Sequence, residues 1–233
     1  MSEAYIIDGL RTAIGSFGGT LAPLGAADLA VPVIKRLLEK NGIKPENVDE
    51  VLMGCVLQAG LGQNVARQAA LKSGIPHEKT ALTVNMVCGS GLRAVALAAQ
   101  AIKAEDEQIV VAGGMESMSN APHILPNSRV GNKMGNIQMV DSMVNDGLWD
   151  IFNNYHMGVT AENLVSKYGL TREDLDNFAA ESQQKTEKAN TAGKFKDEIV
   201  PIILPQKKGD PIVFDTDEFP RAGTTAEKLG KLK

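Results

Sequence analysis

Through Ala112 the chain alternates strand-like with helix-like segments, and this alternation limits the fold more than any other feature. Short apolar runs suited to strands occur at Ala4–Ile7, Glu50–Met53, Thr80–Val84 and Gln108–Ala112, and the two β-branched residues of Ala81–Val84 suit a buried strand. Between them, Ala26–Glu39 puts Leu29, Val33 and Leu37 on one helical face, with Asp28 near its start. Asn64–Lys72 reads as a second helix, and the Ala- and Leu-rich Leu92–Lys103 as a third, enclosed by protein. A β-α-β-α order predicts an α/β fold with a mainly parallel, twisted sheet covered by helices.

One cysteine sits where such a sheet keeps its active groups, beyond the carboxyl end of a strand. Thr83-Val84-Asn85-Met86-Val87-Cys88-Gly89-Ser90-Gly91-Leu92-Arg93-Ala94 joins the third strand to the third helix. There, free backbone N–H groups and the positive end of the helix dipole favour an anion, and the thiolate is the nucleophilic form of cysteine. Gly89 and Gly91 are expected to bare the backbone beside the sulfur for an acyl group and its oxyanion.

Two plainer readings compete. A free cysteine is often a small buried hydrophobe. Gly89-Ser90-Gly91-Leu92-Arg93-Ala94 also fits the dinucleotide pattern G-x-G-x-x-A, which wants an acid at the end of the next strand, about twenty residues on. Here that strand runs into Gly113-Gly114-Met115, and the first acid is Glu116. Asn85-Met86-Val87-Cys88 also separates the first glycine from its strand.

The run Asn85–Ala94 resembles the nucleophile motif of the thiolases, enzymes that make or cleave 3-ketoacyl-CoA thioesters. The likeness continues through Asp8-Gly9-Leu10-Arg11-Thr12-Ala13-Ile14-Gly15 and Met53-Gly54-Cys55-Val56-Leu57-Gln58-Ala59-Gly60. It extends to Gly62-Gln63-Asn64, Ala66-Arg67-Gln68, Gly113-Gly114-Met115-Glu116-Ser117-Met118-Ser119 and His156-Met157-Gly158-Val159-Thr160-Ala161-Glu162. Within the family it is closest to the short bacterial enzymes that condense two acetyl-CoA. The related ketoacyl synthases share the fold logic, but these runs count against them.

The resemblance implies the N-terminal half of the thiolase fold over residues 1–118, lacking its last strand. Residues 119–233 would be a truncated loop domain, with a tetramerisation segment and a CoA-binding region. Arg129-Val130-Gly131 and Met134-Gly135 resemble the segment through which thiolases form dimers of dimers. The residues alone read 120–147 as a long excursion, with helices resuming at Thr160–Tyr168 and Thr171–Asn190. Thr171-Arg172-Glu173-Asp174 opens the latter as an N-cap followed by an acid.

By resemblance, Cys88 is the catalytic nucleophile, Leu148 walls the substrate tunnel, and His156 and Met157 meet the pantetheine end of CoA. Arg221 would lie along the adenine, which suits a planar guanidinium. Their local contexts equally allow a capping His-Met pair and a solvated arginine. Coenzyme A thioesters enter as substrates, and no cofactor is implied.

A net charge of −4 implies no broad basic face, so nucleic acid is not the expected partner and anionic CoA must meet local positive groups. The two cysteines, Cys55 and Cys88, make neither a disulfide framework nor a zinc site, and Cys55 reads as core packing. No membrane-spanning run or targeting segment is read, so a cytoplasmic protein is expected.

A thiolase continues past Lys233 into a second half that supplies the histidine activating the nucleophile and a second, proton-shuttling cysteine. His77, His123 and His156 match none of that base motif, so the 233-residue chain alone is expected to lack turnover. The readings open at this point are an acyltransferase condensing two acetyl-CoA, a general 3-ketoacyl-CoA thiolase, a subunit of a split thiolase, and a non-catalytic CoA- or redox-sensing module.

Overall fold

The computed structural model of the protein describes residues 3–232. Its centre is a parallel sheet of β1 (Glu50–Gly54), β2 (Thr80–Val84) and β3 (Val110–Gly114), in the order β2-β1-β3. Helices α1 (Ala26–Lys40) and α2 (Val65–Lys72) cover one face, and α3 (Ser90–Ala104) lies on the other. The period-two alternation of the strands sorts the core. Val51, Met53, Val111 and Met115 pack with Ile34, Leu38, Ala66 and Ala69 of α1 and α2. Leu52 points the other way, onto Ala94 and Ala98 of α3.

Three expectations need correction. Ala4–Ile7 forms no strand; a cavity of about 370 Å3, lined by both Ala4–Asp8 and Gln108–Ala112, lies between it and β3. Thr80–Val84 is a strand but not a buried one, because it pairs with β1 alone and Leu82 is 48% exposed. Nor is α3 enclosed: the sheet covers one face, while Leu92 on the other is 78% exposed.

Beyond β3 the chain makes short antiparallel pairs rather than a larger sheet. These are β4 (His123–Ile124) with β5 (Val140–Asp141), and β6 (Trp149–Asp150) with β7 (Tyr155–His156). Helices α4 (Met157–Tyr168) and α5 (Arg172–Thr191) follow, then the β8 (Ile202–Leu204) and β9 (Ile212–Phe214) pair, and α6 (Ala226–Leu229). The capping box at α5 is formed: Asp174 N–H donates to the Thr171 hydroxyl at 3.1 Å, and Thr171 N–H to the Asp174 carboxylate at 2.8 Å.

The N-terminal segment is fastened to residues far along the chain. Arg11 pairs with Glu198 at 2.6 Å and with both oxygens of Asp217 at 2.8 and 3.1 Å, while Phe195 lies beneath its guanidinium. Glu218 accepts from the Ser16 N–H and from the Thr20 N–H and hydroxyl. Below this lattice Ala13 and Leu21 share a small core with Ile202, Leu204 and Phe214. Burial works to raise the Asp217 carboxyl, but Arg11 and the Ile14 N–H outweigh it and hold it below the usual carboxylate range. Glu218 is lowered too, chiefly by the Thr20 hydroxyl and then the Ser16 N–H.

A depressed folded-state value stabilises the fold while the carboxylate is charged. That contribution is whole above the unfolded-chain values, about 3.9 for Asp and about 4.3 for Glu, and disappears as pH falls through the lower folded-state values. Asp217→Asn is therefore expected to melt lower than wild type at pH 7, and the gap is expected to close toward pH 3. Thermal melts across that range check this; a gap that stays constant would count against the carboxylate.

Candidate active site

After β2 the backbone makes a tight elbow before entering α3. Asn85 Oδ1 accepts the Val87 N–H at 3.0 Å, the Gly89 N–H returns to Met86 C=O at 3.1 Å, and Arg93 N–H to Gly89 C=O at 2.8 Å starts the helix. Gly89 is the N-cap, so Cys88 stands one residue before the cap and is exposed. Val87 has φ +47°, a left-handed conformation that a β-branched residue adopts only under constraint.

The elbow is seated on the sheet by glycines. A Cβ on Gly54 would fall 2.7 Å from Gly91 N and from the Ser90 Cβ. One on Gly114 would lie 3.5 Å from the Gly91 Cα. Gly91 thus faces the sheet at Gly113 and Gly114 rather than the sulfur, which corrects the role expected of it. A Cβ there would lie 3.8 Å from Gly113 and Gly114, an ordinary contact, so the glycine that the close approach demands is Gly54.

The other thiol lies in the core beyond the neighbouring strand. Cys55 is 1% exposed, its N–H donates to Val84 C=O at 3.0 Å, and its Sγ lies 3.5 Å from Glu116 Oε1. Burial first, and then the Glu116 charge, push the Cys55 thiol up to about 12, so it stays protonated and inert at neutral pH. Glu116, outside the residues that the sequence points to, ties the two strand ends together: its carboxylate accepts from Val56 N–H at 2.9 Å and Leu57 N–H at 3.0 Å. An acid directly after Gly113-Gly114-Met115 was the available signal, since it must follow β3 at the same end as Cys55 follows β1.

The other anticipated residues fall into two groups. Trp149 pairs with His156 across the β6–β7 hairpin, which brings Leu148 and Met157, the residues flanking that pair, to one end of it. His156 caps α4, its Nδ1 accepting the Gly158 N–H at 3.1 Å, and Met157 is 39% exposed. Leu148 closes a π-helical turn whose Gly147 approaches Leu57, beside the Glu116 clasp. Arg221 stands apart, in the segment between β9 and α6 that packs against α5: its N–H donates to Gln183 Oε1 at 2.8 Å, and the residue is exposed beside a cavity of about 220 Å3. Among the described residues no hydrogen bond or ion pair joins either group to the Cys88 elbow, and no three His, Cys, Asp or Glu side chains converge as metal ligands.

Residues 4–233 match the model of the thiolase N-terminal domain family. The acetyl-CoA acetyltransferase of Allochromatium vinosum is 60% identical over 98% of this chain and 58% of its own length. That of Cupriavidus necator is 57% identical over 100% of this chain and 59% of its own. The crystal structure of the Bacillus anthracis acetyl-CoA acetyltransferase superposes with a TM-score of 0.91 at 40% identity, over 96% of this chain and 56% of that one. The chain thus spans little more than half the length of the relatives it matches. From its parallel sheet, its exposed cysteine elbow and these matches, the chain belongs to the thiolase family, as that family's N-terminal domain.

Proposed function

We propose that the protein carrying this chain condenses two acetyl-CoA molecules to acetoacetyl-CoA, reversibly, with Cys88 as the acyl carrier. The observation that carries this reading is the contrast between two thiols at one end of the sheet: Cys88 exposed on a strand-to-helix elbow, Cys55 buried and protonated. The Cys88 thiolate attacks the thioester carbonyl, the C–S bond to CoA breaks, and CoA leaves as its thiol on taking a proton. A second acetyl-CoA loses its α-proton, and the resulting carbanion attacks the acetyl-cysteine and releases the Cys88 thiolate. Two moderate barriers replace one high barrier, with ping-pong kinetics as the sign. By the family resemblance, the groups that move these protons would belong to the part of the longer relatives that this chain does not span.

Leu148, His156 and Met157 at the hairpin would receive the pantetheine arm, and the exposed Arg221 guanidinium the adenine. A homo-oligomer through Arg129–Gly135 is supported by Val130 and Met134, which are 81% and 92% exposed. Among the described residues no helix is long and apolar enough to cross a membrane, and an exposed free thiol suits the reducing cytoplasm.

Brief exposure of the full-length protein to labelled acetyl-CoA is expected to acetylate Cys88 and spare Cys55, and Cys88→Ser is expected to lose nearly all turnover. Label on Cys55 would sink the assignment. For Arg221→Ala, calorimetry should show weaker binding of CoA but unchanged binding of a pantetheine analogue; equal loss with both would mean that Arg221 acts on the fold. Met134→Asp is expected to lower the mass found by sedimentation, and an unaltered mass would remove this segment from the interface.

A further inference from the structure

The Ser90 hydroxyl is used twice within the elbow. It accepts the Met86 N–H at 2.8 Å and donates to the Val87 C=O at 2.6 Å. Its side chain is only 4% exposed, and its Cβ rests on the bare Gly54, so it has no room to retreat from these bonds. The residue it brackets is Val87, at φ +47° and 50% exposed, which recovers little from burial against the cost of that conformation. Asn85 adds one bond from outside, to the Val87 N–H. The next residue along is Cys88.

We propose that Ser90 is a positioning residue for Cys88: its hydroxyl clamps Val87 in the left-handed conformation that presents the thiol ahead of α3. Without the clamp, Val87 relaxes toward the extended backbone that β-branched residues favour, and Cys88 turns with it. The link to turnover rests on the acyl-carrier reading above; the geometry does not. Asparagine tolerates the left-handed region far better than valine, so it should need the clamp less.

The test is the rate at which iodoacetamide alkylates Cys88 in the full-length protein, read by peptide mass spectrometry that separates it from Cys55. Ser90→Ala is expected to slow alkylation about tenfold, through the loss of two hydrogen bonds on one turn. Adding Val87→Asn to that variant is expected to restore most of the rate, which a purely structural role for Ser90 would not do. An unchanged rate in Ser90→Ala, or a loss that Val87→Asn leaves in place, overturns the proposal. Should Ser90→Ala not fold, Val87→Asn in the Ser90 protein carries the test: its melting temperature is expected to rise, and a failure to rise overturns the proposal. Alkylation needs no CoA, so a protein that behaves in this way yet accepts no acetyl group refutes the acyl-transfer reading and leaves the role of Ser90 standing.

Discussion

At the end of β1 the sheet and the helix that follows the Cys88 elbow touch backbone to backbone. Gly54 leaves no space for even a methyl group, which would lie 2.7 Å from Gly91 N, while Gly114 meets the Gly91 Cα at ordinary contact distance. This contact fixes where α3 begins, and so where the preceding elbow must turn. The same strand end carries the other fastenings. Met115 N–H reaches back to Gly54 C=O at 2.9 Å, Cys55 N–H to Val84 C=O, and the Glu116 carboxylate gathers Val56 and Leu57. All three strands are thus tied at the end from which Cys88 projects. The start of α3 is seated on main chain, and the Ser90 and Asn85 side chains then hold the turn that leads into it.

Two cysteines at that end illustrate how environment, not residue type, decides reactivity. Cys55 continues directly from the central strand into protein, faces a carboxylate and is held protonated. Cys88 continues from the edge strand into a turn, and is left open. One strand's displacement across the sheet separates a buried, protonated thiol from an exposed one.

The parts legible in the sequence are those set by local rules. Strand and helix periodicity located β1, β2, α1 and α2, and the Thr171–Asp174 pair announced α5, because these signals need no distant partner. The strand-to-helix elbow around Cys88 was readable for the same reason, being written in consecutive residues. Features settled by tertiary surroundings were not. Ala4–Ile7 has the composition of a strand, but pairing is a matter of neighbours. The exposed outer face of α3 could not be told from a buried one by its Ala-rich sequence. The left-handed Val87 escapes any propensity argument, since valine is among the residues least suited to that region. At His156 the structure supplies the capping bond that the local sequence allowed, with the ring's other nitrogen uninvolved in it.

The Arg11 clasp also bears on how the molecule comes to exist. Its partners Glu198 and Asp217 lie 187 and 206 residues away along the chain. A ribosome adding roughly 5–20 residues per second needs about ten seconds or more to deliver them. Over that interval the Arg11 clasp cannot close, although Asp8 already has Lys40 and Asn41 to pair with, and Tyr5, Ile6 and Ile7, each at least 70% exposed even afterwards, remain open to other chains. Loop closure of this span is entropically slow relative to the local β-α-β contacts around Cys88. The Arg11 clasp therefore closes only after the strands and helices around the Cys88 elbow have been synthesised.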